Sequence, residues 1–198
     1  MKPDEAAEAL GDKFTHALVE AVGITRTDMD EFREKLPGWA SAMSNRGMAN
    51  LIWERLWTNM CARLEGHPEF YIKISGVIHE IHVGLNVVTR LKRHTAENAI
   101  QSYPTQGALE FYTQEQDQLP GLESTSLAVG YLWDPELRMI VAPVVSFRDG
   151  KDNPIWMMRL DEPAAGVAAI WSPVEPALPG VIVAGDENEV GKETESGA

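Results

Sequence analysis

The stretch 77–94 alternates apolar and polar side chains along its whole length. Five even-numbered positions carry groups that can do chemistry: Glu80, His82, Arg90, Lys92 and His94. Side chains two apart on a strand lie on the same face, so these five are expected to share one. Such groups can cleave RNA without metal, because a carboxylate or imidazole takes the 2′-hydroxyl proton, cations hold the phosphate charge and a second imidazole protonates the leaving oxygen. These five are the candidate catalytic residues.

Four further polar residues are the candidate binding residues: Tyr71, Asn86, Arg93 and Tyr103. A turn at Ser75 and Gly76 places Tyr71 opposite Glu80, on the face of the catalytic candidates. Arg93 belongs to the basic cluster of residues 90–94, although alternation turns its side chain to the other face. The competing interpretation is that the polar face is only the solvent side of an edge ribbon, where charges prevent pairing with other chains.

Metal binding is not expected. His79 and His82 flank a glutamate as in half of a helical zinc-protease signature, but that signature needs a spacing of four. Here the spacing is three, and on a strand it puts the two imidazoles on opposite faces. His79 is expected to point into the apolar face as a hydrogen-bonded core histidine.

Cofactor binding is not expected either, because the chain contains no phosphate-binding loop, dinucleotide fingerprint or serine nucleophile elbow. The single cysteine, Cys61, lies in a helical pattern beside Trp53 and Trp57, where a thiol is usually inert.

The elements that must position these residues begin with helices. Apolar residues four apart predict a helix over residues 10–22 that stops at Gly23. A short helix is expected to end at Pro37. The strongest pattern spans residues 45–65, where Trp53 and Trp57 stack on the apolar face and anchor the helix on the sheet.

Strands follow Gly66. One is expected at residues 70–74, and residues 77–94 are expected to form one long strand bent at Gly84, since Gly-Leu is a poor hairpin pair for a turn there. A short helix within 105–116 and strands at 125–133, 137–147 and 155–160 complete the pattern. Pro143 implies an edge position or a bulge. The pattern at 164–171 fits either a helix or a strand.

This order predicts an α+β fold: N-terminal helices packed on an antiparallel β-meander sheet, with a short helix inserted after the first long hairpin. A single domain is expected over residues 1–172, with a helical part at 4–65 and a sheet part at 69–172. Residues 173–198 have the composition of a proline-rich linker and an acidic, flexible tail.

Composition limits the partners. The chain has 198 residues and a net charge of −13, which disfavours nucleic-acid phosphates as a partner. The absence of a leader pattern, of a long apolar run and of a second cysteine makes a cytoplasmic protein without a membrane partner the expectation.

Three functional hypotheses remain open. The first is a small acidic interaction or regulatory protein, of the kind found in toxin–antitoxin or phage–host conflict systems, that binds a protein partner through the polar ribbon and the Tyr103 loop. The second is a metal-independent ribonuclease-like toxin that uses the five catalytic candidates. The third is an acidic mimic that occupies the groove of a nucleic-acid-binding protein.

Overall fold

The computed structural model describes residues 1–100, 105–114, 124–161 and 170–175. Within these ranges three helices precede a seven-stranded sheet, and a fourth helix lies between the third and fourth strands. The predicted α+β class is therefore confirmed.

Three helices form the N-terminal third: α1 (Pro3–Lys35), α2 (Pro37–Ala42) and α3 (Asn45–Leu64). The prediction for α3 is confirmed, and Ser44 caps it by accepting a hydrogen bond from the Gly47 amide at 3.1 Å. Trp53 and Trp57 stack with their ring centroids 5.9 Å apart.

Helix α1 runs through Gly23, so the predicted stop there is wrong. A glycine ends a helix when its backbone turns left-handed, and Gly11, with φ 70°, is the residue that does so and kinks α1. Beyond Gly23 the helix goes on burying side chains such as Thr25 and Met29. The Thr25 hydroxyl donates to the Ala21 carbonyl at 2.7 Å, across the glycine.

The sheet is built in chain order. Its members are β1 (Phe70–Ser75), β2 (Ile78–Val83), β3 (Val87–His94), β4 (Thr125–Asp134), β5 (Met139–Arg148), β6 (Pro154–Asp161) and β7 (Ile170–Pro173), and α4 (Gln106–Tyr112) lies between β3 and β4. Neighbouring strands are antiparallel except β3 and β4, which are parallel. The meander prediction is wrong at that junction, because the segment containing α4 carries the chain back to the end of the sheet where β3 began.

Residues 77–94 do not form one bent strand. Gly84 adopts a left-handed φ of 58° and opens a three-residue turn that ends at Asn86, so β2 and β3 form a hairpin. Val83 lies opposite Val87 across this turn. Because three is an odd number of turn residues, even-numbered positions stay on one face through the turn.

Helices α1 and α3 cover one face of the sheet, and their main core extends from Ala6 in α1 to Leu160 in β6. Helix α4 covers part of the opposite face over a smaller apolar cluster of Val88, Ile100, Ala108, Phe111, Tyr112 and Ala128. Strand β3 is therefore central in the sheet and is covered on both sides.

Pro143 lies within β5, where it pairs with Tyr131 of β4. The register of β5 with β6 begins at Val144, so the proline occupies a local edge position, and β5 has a bulge at Val141, the extra residue opposite Leu132 and Trp133 of β4. Residues 162–169 and 176–198 lie outside the described ranges, so the linker and tail stay predictions, as does the single-domain boundary.

Candidate functional site

The sheet face opposite α1 and α3 is called the polar face here. It carries Tyr71 and Lys73 on β1, Glu80 and His82 on β2, Arg90, Lys92 and His94 on β3, and Ser146 and Arg148 on β5. The alternation rule thus placed all five catalytic candidates on one face.

Glu80 is the centre of an ion-pair cluster. Arg90 donates to Glu80 Oε1 from Nη2 at 2.7 Å and from Nε at 3.1 Å. Lys73 Nζ and His82 Nε2 each lie 3.3 Å from the other carboxylate oxygen. Burial pushes the pKa of Glu80 upward, but the bonds and charges of Arg90 and Lys73 outweigh it and hold the pKa below 4.5. A carboxylate so firmly paired is a poor proton acceptor.

Arg90 also connects the sheet to α4. Its Nη1 donates to the Gly107 carbonyl at 2.9 Å, and its guanidinium lies 4.2 Å from the centroid of the Phe111 ring. The Thr105 hydroxyl caps α4 by accepting from the Ala108 amide at 3.3 Å. The guanidinium therefore holds the short helix on the polar face.

His94 is 0% exposed, and its Nε2 lies 2.9 Å from Ser146 Oγ. Burial, helped by the charge of Arg148, lowers the pKa of His94 to about 3. The imidazole is therefore neutral near pH 7. Burial, with the charge of Arg90, also lowers the pKa of Lys92 to about 8.

Arg148 is buried to the same extent as His94. It donates from Nη2 to the Asn98 carbonyl at 2.7 Å and from Nε to the Lys151 carbonyl at 3.0 Å. Sequence reasoning missed Arg148, Ser146 and Asn98, because nothing local indicates that β5 shares this face with β3. The alternation of Ser146 and Arg148 within β5 was the available signal, and it becomes readable only once the strand order is known.

The outer end of the polar face is exposed. Tyr71 is 63% exposed, and its ring lies 5.7 Å from that of His82. The register differs from the predicted one by two residues, since Tyr71 lies opposite His82 and Lys73 opposite Glu80. The turn is centred on Gly76 and Val77, where Gly76 supplies the φ of 59°.

His79 lies on the opposite face from His82, as the strand alternation predicts. Its ring packs edge-on against Trp53 and Trp57, with centroid distances of 4.9 Å to each. Its Nδ1 lies 3.5 Å from the Val77 carbonyl. The imidazole is half-buried at the rim of the core, not enclosed within it.

The remaining binding candidates do not form a group. Arg93 faces the α1 and α3 side, with its guanidinium 5.8 Å from the centroid of the Trp133 ring. Asn86 is exposed in the β2–β3 turn, and its carbonyl accepts from the Thr125 amide at 2.7 Å. Tyr103 lies outside the described residues. Cys61 is half-buried, and burial raises the pKa of its thiol.

The interpretation of residues 77–94 as an edge ribbon is wrong, because β3 lies between β2 and β4. At this end of the described sheet the edge strand is β1. Ser75 and Ile78 flank a two-residue turn, so Ser75, Lys73 and Tyr71 exchange backbone hydrogen bonds with β2. The backbone N–H and C=O groups of Ile72 and Ile74 consequently point away from β2, and no strand of the described part pairs with them.

In the described ranges, no three His, Cys, Asp or Glu side chains converge as metal ligands. No helix within those same ranges is long and apolar enough to cross a membrane. No family model, curated protein or solved structure matches this chain.

Proposed function

We propose that this protein is a non-catalytic interaction domain that binds a protein partner by adding a strand to β1. The observation that carries the proposal is the open edge of β1, where the backbone groups of Ile72 and Ile74 face outward. Ile74 is 60% exposed beside them. Strand addition supplies main-chain hydrogen bonds for affinity and side-chain contacts for specificity.

The edge also lacks the usual protection. Sheet edges are commonly blocked by proline, by a bulge or by a charged side chain directed across the edge. Between Phe70 and Ser75, all described, there is no proline, and the register with β2 has no bulge. The charge of Lys73 is engaged by Glu80 at 3.3 Å.

The arrangement of the catalytic candidates favours binding over catalysis. Glu80 is 5% exposed and is already held by cations, and His94 is enclosed and neutral. A phosphate approaching from solvent reaches His82 and Lys73 but not His94. The mixed charges around Glu80 also differ from the uniform negative row that a nucleic-acid mimic needs.

The test is a pair of substitutions at one position. Ile74→Pro removes the outward N–H without disturbing a hydrogen bond to β2. Ile74→Thr also replaces the isoleucine side chain, but it keeps the N–H. A photo-crosslinking amino acid at position 71 is introduced into both variants and into the parent chain, in the cells that produce the protein.

We expect one protein to be crosslinked by the parent and the Ile74→Thr variant and to be lost with Ile74→Pro. Equal crosslinking yields in all three would refute strand addition. EDTA-resistant RNA cleavage by the purified chain that disappears in His82→Ala would instead support the ribonuclease hypothesis.

A further inference from the structure

We infer that the partner at this edge is a second copy of the chain, paired antiparallel through β1 about a two-fold axis at Ile72. This inference rests on the proposed function, because it names the partner for the same edge. It follows from how the side chains of β1 match when the strand is set against itself.

An axis at Ile72 suits both the backbone and the apolar face. Ile72 and Ile74 direct their N–H and C=O groups outward. Phe70 contributes its carbonyl alone, because its N–H already donates to the His67 carbonyl at 3.1 Å. Ile72 then lies opposite Ile72 of the partner subunit, and Phe70 lies opposite Ile74 of the partner subunit. Phe70 and Ile72 already pack at the rim of the main core, so the core extends across the junction.

The polar face matches in the same register. Tyr71 lies opposite Lys73 of the partner subunit, and the two-fold axis repeats the pair. An ammonium group beside an exposed tyrosine ring is a favourable contact. Each Lys73 stays close to Glu80 of its own chain, so the pairing does not separate the Glu80 carboxylate from this cation.

The neighbouring registers are poorer. An axis at Lys73 sets Lys73 against Lys73 of the partner subunit, and like charges directly opposite destabilise a strand pair. An axis at Tyr71 sets Ile74 opposite Pro68, which has no N–H to donate. The outward backbone groups allow several positions for the two-fold axis, and the side chains favour the one at Ile72.

Charge is also compatible at this place. The whole chain carries −13, yet beside β1 Lys13 pairs with Glu69, and Lys73 and Arg90 pair with Glu80. These three cations face two carboxylates. Two copies therefore meet little like-charge repulsion from these groups, although the net negative charges of the two chains repel each other. Added salt is expected to strengthen the dimer by screening that repulsion.

The expected complex is weak. A pair of six-residue strands buries less than the roughly 1,200 Å² at the lower limit of a standard stable interface. The dimer should therefore depend on protein concentration.

The first experiment is sedimentation equilibrium of the purified chain over a concentration series at low and high salt. The parent mass is expected to rise from 21.9 kDa toward twice that value, more readily at high salt. Ile74→Pro should remain monomeric, and Ile74→Thr should still dimerise. Circular dichroism confirms that both variants are folded.

The outcomes separate the two proposals. A parent chain that stays monomeric overturns the self-pairing, while a different protein crosslinked at position 71 in cells leaves strand addition intact. Dimerisation that Ile74→Pro does not weaken places the contact elsewhere and overturns the self-pairing as well. A dimer that weakens with salt contradicts the charge argument.

The second experiment tests the register by disulfide formation in a Cys61→Ser background. Ile72→Cys is expected to link two copies, because Cα atoms of directly opposed hydrogen-bonded residues lie about 5.5 Å apart, within disulfide reach. Lys73→Cys alone is not expected to link two copies, because the two positions 73 are diagonal neighbours across the junction, about 7–8 Å apart. A mixture of Tyr71→Cys and Lys73→Cys chains should give the mixed dimer. Linkage by Lys73→Cys but not by Ile72→Cys would overturn the Ile72 axis.

Discussion

Strands β1 and β3 both alternate polar and apolar residues and present polar side chains to the same face, but these side chains lie in opposite environments. Tyr71 on β1 stands in solvent, whereas His94 on β3 is enclosed. The difference comes from the neighbours, because β3 lies between two strands and under α4, while β1 pairs with β2 alone among the described strands. The role of a polar residue on a strand is therefore set by the position of that strand in the sheet.

This position changes the chemistry of the side chains as well as their exposure. Arg90 and Glu80 form a buried pair, and a buried pair destabilises the fold when one member is removed. Tyr71 makes its contact at the surface, where a substitution usually changes stability little. The comparison therefore predicts large effects for the central strands and small effects for the edge.

The largest effect is expected for Gly130→Ala, where β4 lies against β3. A Cβ at Gly130 would lie 2.2 Å from the Lys92 carbonyl oxygen, and the glycine φ of 148° is strained for any L side chain. We expect the variant to lose the native fold, as followed by circular dichroism and urea unfolding. Gly23→Ala is the matched control, because a Cβ there meets nothing within 4 Å and alanine favours the helix by about 1 kcal/mol.

The second effect is expected for Arg90→Met, which leaves Glu80 with Lys73 and His82 only. The free energy of unfolding should fall by about 3 kcal/mol, the lower end for breaking a buried pair. Because the pKa of Glu80 is lowered in the fold, its contribution is present above pH 4.5 and is lost as the pH falls. The difference in unfolding free energy between parent and variant should therefore be largest near pH 7 and should shrink as the pH falls below 4.5. A difference that stays constant between pH 7 and pH 3 would contradict this pairing.

The third effect concerns the pH dependence of the central strands. The pKa of His94 is about 3 in the fold and 6.5 unfolded, so its stabilising contribution is present above pH 6.5 and is lost between pH 6.5 and 3. In His94→Gln the loss of unfolding free energy between pH 7 and 5 should be about 2 kcal/mol smaller than in the parent. His16→Gln, at an exposed position, is the matched control.

The smallest effect on stability is expected at the edge. Tyr71→Ala should change the free energy of unfolding by no more than about 0.5 kcal/mol, because the side chain is exposed. The same substitution should weaken the dimer in sedimentation. A large loss of stability with unchanged association would reverse the contrast between β1 and β3.

Much of the fold was readable in the sequence because it is encoded locally. The helical period of residues 45–65 and the turn signals around β4, β5 and β6 gave these elements nearly correctly. Alternation alone placed Glu80, Arg90 and His94 on one face, since a turn with an odd number of residues keeps the phase.

The remaining features depend on contacts that no local pattern encodes. The β1–β2 register shifted by two because Gly76 and Val77, not Ser75 and Gly76, form the turn. The parallel pairing of β3 with β4 joins segments that α4 separates, and this pairing buries His94 and brings it to Ser146. The alternation therefore predicts which residues lie on the polar face, but it does not predict that the face is buried.

The parallel junction of β3 and β4 also bears on how the chain folds. The strands before it are joined by hairpin turns, and so are β4, β5 and β6 after it, so each group forms contacts between residues close in sequence. The seam between the groups closes a loop across α4, so among the strand pairings of the described sheet it joins the residues farthest apart in sequence and has the greatest loop-closure cost. A substitution that weakens this pairing should slow the association of the two groups of strands and leave the formation of each group largely unchanged.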